Sequence, residues 1–267
     1  MPDLKLPPEY VPGHGLLQGK RVVVTAAAGT GIGFATAKKC AEEGAVVFIS
    51  DIHDGRLQKA ADQLREETGQ RPGTTICSVT DQTEVDVLFE EAENAMGGID
   101  VVINNAGLGG TADLVDMTDE QWMTVLDVTL NGCFRINRAA MKYMKKSFKK
   151  TGEGGVIVNN ASVLGWRAQK GQAHYAAAKA GVMALTRCAG VEGAEFGVRV
   201  NAVAPSLALH PFLHKVTSKE LLAELEAKEA YGRGSEVWEQ ANVIVFLASD
   251  YSSYMTGEVI STSSQRA

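Results

Sequence analysis

Thr25-Ala26-Ala27-Ala28-Gly29-Thr30-Gly31-Ile32-Gly33 follows a run of three valines and leads into small and apolar residues at helical spacing. Glycines let a backbone turn sharply and come close to a pyrophosphate, and a helix N-terminus adds free N–H groups and positive dipole. A strand that runs through such a turn into a helix begins a βαβ unit. The stretch therefore predicts a single Rossmann-like, doubly wound parallel sheet of seven strands with helices on both faces.

The rest of the chain supports that reading. Short, β-branched apolar runs occur at 21–25, 45–50, 74–79, 101–104, 156–159, 198–203 and 258–261. They are continuous rather than alternating, as in strands covered on both faces. Helix-like stretches lie between them at 33–43, 55–68, 84–96, 119–148, 175–195 and 236–249. No linker or internal repeat divides the chain, so an arm over 1–19 is expected to precede one domain over 20–267. Residues 206–234 break the alternation at the C-terminal edge of the sheet, where such folds bind ligands, and are expected to form a substrate loop.

The 267 residues are 45% hydrophobic and 22% charged, enough to fill a sizeable core. A formal charge of -6 argues against nucleic acid as a partner. No apolar run reaches the roughly 18 residues of a membrane span, and the first residues lack a basic-then-apolar signal pattern. Cys40, Cys77, Cys133 and Cys188 are far apart, which suits a reducing compartment and a core role. The expectation is a cytoplasmic protein with a small-molecule substrate.

Asp51 ends the second strand, 18 residues after Gly33. An acid there accepts both ribose hydroxyls of an adenosine and repels a 2′-phosphate, which favours NAD over NADP. The competing reading makes Asp51 a cap for a helix starting near Asp54.

Tyr175 and Lys179 stand one helical turn apart on the same face. A tyrosine titrates near pH 10 in water, and a neighbouring lysine cation stabilises the phenolate. Thirteen residues upstream of the tyrosine, Ser162 follows a strand end in Asn159-Asn160-Ala161-Ser162. Asn104-Asn105-Ala106-Gly107 ends the fourth strand.

With these motifs the chain resembles the short-chain dehydrogenase/reductase family over 20–260. The resemblance implies that Tyr175 is the general acid/base, that Ser162 orients the reacting oxygen, and that Lys179 assists the tyrosine and holds the nicotinamide ribose. It also implies a dinucleotide site made of Gly29, Gly31, Ile32, Gly33, Asp51, Val79, Asn105, Ala106, Gly107, Pro205 and Ala208, with Val128 nearby. A homotetramer is the family expectation. The stretches TAAAGTGIG, NNASVLGWRAQ and HYAAAKAGVMALTRC and the serine-rich tail are similar to a steroid-degrading branch of that family. That branch implies a bulky apolar ketone or secondary alcohol, with a coenzyme A thioester as one form. A 3-oxoacyl-thioester reductase and a non-catalytic dinucleotide sensor remain alternatives.

The chain departs from the family pattern at several points. Alanines replace the early Thr-Gly pair of the glycine loop, which is one residue longer. Thr129 stands where an asparagine often completes a proton relay, while Asn131, about 200° further round a helix, should point elsewhere. Ser78 replaces an aspartate near the adenine, Ser206 replaces a glycine after Pro205, and His210 replaces a threonine near the carboxamide. Ser263-Ser264-Gln265 replaces a terminal Asp-Gly-Gly. Trp166, Gln172 and His210 are expected to border the substrate pocket, and His174 could face the cleft. His210 and His214 have i,i+4 spacing but no third ligand at metal-site spacing, so no metal is expected. The five lysines within 142–150 read as a solvated helix end.

Overall fold

The computed structural model describes residues 5–211, 213 and 217–265. In β1 (Arg21–Val24), Val22 and Val24 pack to one face of a sheet and Val23 to the other. The same two-sided burial carries through β2 (Val46–Asp51), β3 (Gly73–Ile76), β4 (Val101–Asn104), β5 (Gly155–Asn160) and β6 (Val198–Pro205). Two short strands, β7 (Ala208–Leu209) and β8 (Ser235–Glu236), pair with each other outside this sheet. The last strand is β9 (Val259–Thr262). Among the described residues the main sheet has seven strands, all parallel, in the order β3-β2-β1-β4-β5-β6-β9. The order reverses between β1 and β4, which opens a crevice at their C-terminal ends.

Helices α1 (Ile32–Glu42) and α2 (Asp54–Thr68) cover one face, while α3 (Gln82–Met96) starts the cover of the other. Next come α4 (Asp119–Leu126), α5 (Gly132–Thr151) and α6 (Ala173–Ala194). Helix α7 (Lys219–Lys228) lies within the expected substrate loop, and α8 (Val237–Ala248) joins the face of α1 and α2. Both faces of the sheet are therefore covered, as the sequence predicts.

Four local expectations change. The single helix expected over 119–148 is instead three segments: α4, opened by a Thr118/Gln121 capping box, a π-helical turn at Asp127–Asn131, and α5. Strand β3 stops at Ile76 because Asp51, its last partner, ends β2; the Ser78 amide then turns to Glu84. The segment 206–234 is partly ordered, with β7 pairing to β8 and Ser218 capping α7. Cys188 is exposed, whereas burial pushes the thiols of Cys40, Cys77 and Cys133 up to about 12 and leaves them inert.

The arm is bound to the body. The buried Glu43 carboxylate accepts the amides of His14 (2.7 Å) and Leu16 (2.9 Å), and Lys39 donates to the carbonyl of Val11. Tyr10 donates to Glu42 and sets its ring edge-on to Trp238 of α8. From there the chain reaches Gly232, beside Lys5.

Candidate active site

The C-terminal ends of β1, β4 and β5 are joined by side chains. Thr25 Oγ1 accepts the amides of Asn105 (3.0 Å) and Ala106 (3.2 Å). Asn105 Nδ2 donates to the carbonyls of Thr25 and Ala26, and its Oδ1 accepts from Asn160 Nδ2 at 2.9 Å. Ala26 has φ +50°, a left-handed conformation that costs a side-chain-bearing residue about 1 kcal/mol or more. That turn aims the Ala26 carbonyl at Asn105, and alanine bears the strain with only a methyl group to place.

A dinucleotide needs open backbone at this loop and free N–H groups at the helix it enters. Gly29 and Gly31 have open space where a Cβ would stand. Helix α1 has no side-chain cap and no acid in its first turn, so its N-terminus keeps its donors and positive potential. Gly33 plays a different part: a Cβ there would lie 2.4 Å from the Ala26 oxygen and 2.5 Å from Asn105 Nδ2. It allows α1 to pack against β1. The loop thus fits a pyrophosphate.

Asp51 is 9% exposed at the end of β2. Its carboxylate accepts the amides of Ala28 (3.2 Å) and His53 (3.1 Å), and Arg56 stands 3.9 Å away. Burial raises its carboxyl above the usual range, against the opposing effect of the Ala28 amide and Arg56. Residue 53, not Asp51, is the N-cap of α2, so the capping alternative does not hold.

Lys179 is buried, and its ammonium donates to the carbonyl of Asn160, the last residue of β5. The same Nζ lies 3.3 Å from where a Gly107 Cβ would stand and 5.6 Å from the centre of the Tyr175 ring. Tyr175 lies along Gly109, and its amide donates to His174 Nδ1 at 2.9 Å. That bond fixes Nδ1 of the buried His174 as an acceptor. Ser162 caps a 3₁₀ turn: its Oγ accepts the Leu164 amide at 3.2 Å, which leaves its proton to donate elsewhere. Serine, tyrosine and lysine thus stand at one edge of the sheet, tied through Asn160.

Thr129 is fully buried in the π turn. Its hydroxyl donates to the Leu108 carbonyl and accepts the Leu108 amide, both at 2.9 Å. Its one proton therefore holds the loop after β4. Thr129→Val should leave both Leu108 groups without that partner and cost about 1–3 kcal/mol, read as a lowered melting temperature. Asn131 points away, donating to Asp127 at 3.1 Å.

The other expected residues scatter more. Val79 is buried against Gly132, and Val128 packs nearby in the same cluster. Ala106 and Gly107 follow β4, beside Thr25 and Lys179. Ile32 opens α1, Pro205 ends β6, and Ala208 pairs with Ser235 in the β7–β8 ladder. Gln172 donates to the Gly110 carbonyl (2.7 Å), which ties the loop after β4 to the start of α6. Trp166 is half exposed, and His210 accepts the Leu213 amide at 3.4 Å. His214 lies outside the described residues. No group of three or more His, Cys, Asp or Glu suited to a metal occurs among the described residues. No helix there is long and apolar enough to cross a membrane.

Sequence reasoning missed Thr25 and Asn160 as organisers of the site. It also missed an amide cluster beneath it: Asn137 Nδ2 and Asn104 Nδ2 both donate to Asn159 Oδ1, and Asn159 Nδ2 donates to Thr186. Paired asparagines at two strand ends were the available signal, since asparagine is disfavoured in strands.

A family model described as Enoyl-(Acyl carrier protein) reductase matches residues 26–263. The (5R,7aS)-5-hydroxy-7a-methyl-1-oxo-2,3,5,6,7,7a-hexahydro-1H-indene-carboxyl-CoA reductase of Mycobacterium tuberculosis is 57% identical over 263 residues, 98% of this chain and 99% of that protein. A 3-oxoacyl-(acyl-carrier-protein) reductase of Thermotoga maritima is 40% identical, covering 91% of this chain and 96% of its own. The crystal structure of a short chain dehydrogenase from Mycobacterium smegmatis superposes with TM-score 0.87 at 53% identity, covering 99% of this chain and all of that one.

Proposed function

The chain belongs to the short-chain dehydrogenase/reductase family and is an oxidoreductase, and from that premise we propose that it interconverts a secondary alcohol and a ketone on a bulky, steroid-derived ring substrate carried as a coenzyme A thioester, with NAD(H) as cofactor. The observation that carries the reaction is the placing of Tyr175 and Lys179 on one turn of α6, with Lys179 bound to the end of β5. The substrate rests on the 57% identity to a carboxyl-CoA reductase.

A bound nicotinamide dinucleotide supplies or takes up a hydride. In the reducing direction the Tyr175 hydroxyl donates a proton to the substrate oxygen, and in the oxidising direction the phenolate recovers it. The Lys179 ammonium favours that phenolate by charge and stands ready, at Gly107, to hold a ribose hydroxyl. The Ser162 hydroxyl donates to the substrate oxygen and fixes its orientation. We assign Thr129 to hold the loop after β4 rather than to relay protons, since its proton goes to Leu108. Gly29, Gly31, Ile32 and Gly33 hold the pyrophosphate, and Asn105, Ala106, Gly107 and Val79 flank the adenosine. Pro205 and Ala208 bound the nicotinamide end, while Trp166, Gln172 and His210 border the substrate.

Asp51 supports NAD over NADP because it presents a carboxylate where a 2′-phosphate would stand. Ribose hydroxyls bind the ionised form, so protonation competes with NADH. Burial raises the Asp51 carboxyl, and NADH affinity should therefore weaken as pH falls through that raised value, earlier than for an exposed aspartate. Asp51→Ala should flatten this acid limb and lower the preference for NADH over NADPH by about tenfold or more. A parent enzyme that used NADPH better would refute the cofactor reading.

The same reading makes the protein a cytoplasmic homotetramer. A 3-oxoacyl-thioester reductase is the second reading, favoured by the 40% identity to such an enzyme and opposed by Asp51 if that activity uses NADPH. A turnover screen decides between them. It sets bicyclic and steroid-derived alcohols, ketones and their coenzyme A thioesters against linear 3-oxoacyl thioesters, each with NADH and NADPH. Preference for the linear substrates would replace the ring reading with the second.

A further inference from the structure

The arm, the turn after Ser162 and the end of α7 meet around a cavity of about 770 Å³ beside the cleft. Its size is that of an organic-ligand site. Lys5, Arg167 and Lys228 line it together with Leu164, Tyr231 and Gln265. Three cations from separate parts of a chain with net charge -6 reverse the general sign of the molecule at this point. Arg167 donates to the neutral amide oxygen of Gln265 at 2.6 Å. Lys228 pairs with Glu224 across an exposed helical turn, a contact weak enough in water to yield to a phosphate. Glu229 also lines the cavity, but its carboxylate is buried and engaged by Gln265, Ser264 and the Leu207 amide. The wall begins at Leu164, whose amide bonds to Ser162 Oγ, so the cavity opens next to the serine.

We propose that this cavity binds the phosphate-bearing end of a coenzyme A thioester while its acyl ring lies at Ser162 and Tyr175. The proposal rests on the coenzyme A reading of the substrate given above. Arg167 and Lys228 contact the phosphates, and the arm closes one side through Lys5. A carrier protein is the poorer occupant: an acidic partner needs a broad basic face, and this chain is acidic overall with its cations gathered in a cavity.

The test uses the full-length enzyme with saturating NADH, so that the dinucleotide cleft is filled. Calorimetry measures binding of free coenzyme A. Steady-state kinetics compares the coenzyme A thioester of the bicyclic ketone acid with its N-acetylcysteamine thioester. In the double variant Arg167→Ala/Lys228→Ala, coenzyme A affinity and the ratio of kcat/KM between the two thioesters should each fall about tenfold, the loss of roughly one charged contact. Arg167→Gln, which keeps an amide for Gln265, should show part of the same loss at an unchanged melting temperature. Absence of coenzyme A binding by the parent overturns the site, as does equal affinity in parent and double variant. Preference for a carrier-protein thioester over the coenzyme A thioester also overturns it. If the parent binds coenzyme A through Arg167 but turns over neither thioester, the site stands and the substrate reading fails. If it prefers the coenzyme A thioester and the double variant keeps that preference, the substrate reading stands and the site fails.

Discussion

Tyr175→Phe loses turnover by about 10³-fold or more while NADH still binds. The substitution removes the hydroxyl that exchanges the proton and little else. The ring still lies along Gly109, and the main-chain bond from residue 175 to His174 does not involve the side chain. Lys179 keeps its bond to Asn160 and its place at Gly107, so the ribose end of the cleft is intact. The expected signature is therefore a collapse of kcat with NADH affinity nearly unchanged, read by fluorescence titration and single-turnover kinetics. Activity within tenfold of the parent, roughly 1.4 kcal/mol in barrier, would remove Tyr175 from the chemistry.

The second large effect is at Gly33. A methyl group there would stand 2.4 Å from the Ala26 oxygen and 2.5 Å from Asn105 Nδ2. Neither neighbour can give way cheaply. The Ala26 carbonyl is held by Asn105, and Asn105 is held in turn by Thr25 and Asn160. Helix α1 must move off β1, at a cost of about 1–3 kcal/mol and with its N-terminus displaced from the pyrophosphate. Gly33→Ala should therefore lower both the melting temperature and NADH affinity. Gly29→Ala gives the contrast: its Cβ meets open space, so the fold should keep its melting temperature while close approach of a phosphate is hindered. Equal melting temperatures for Gly33→Ala and the parent would contradict the packing argument.

The features legible in the sequence were those set by local pattern. Continuous valine and isoleucine runs can only be strands covered on both faces, and the sheet has that form. Tyr175 and Lys179 were readable because one helical turn fixes their relation without help from the rest of the chain. What escaped depends on contacts distant in sequence. Thr25 looks like a strand-end threonine until Asn105 and Ala106 arrive 80 residues later to donate to it. Asn160 gains its place only because Lys179 and Asn105 converge on it. Tyr10 gave no local sign that it would meet α1 and α8. The π turn is invisible to a 3.6-residue period, which reads 119–148 as one helix.

That π turn, at Asp127–Asn131, bears on how the gene can change length. A wide turn of this kind amounts to one residue more than an α-helical path would use. Removing a single codon there would restore regular winding, yet rotate everything downstream by about 100°. Ile136, Ala140 and Met144 would swing off the sheet, and Phe134 and Lys145 would turn toward it. A deletion that repairs the local geometry would thus ruin the packing of α5. In a library of single-codon deletions, this stretch should tolerate loss less well than the surface turn around Gly152, where the chain leaves α5 in a left-handed conformation.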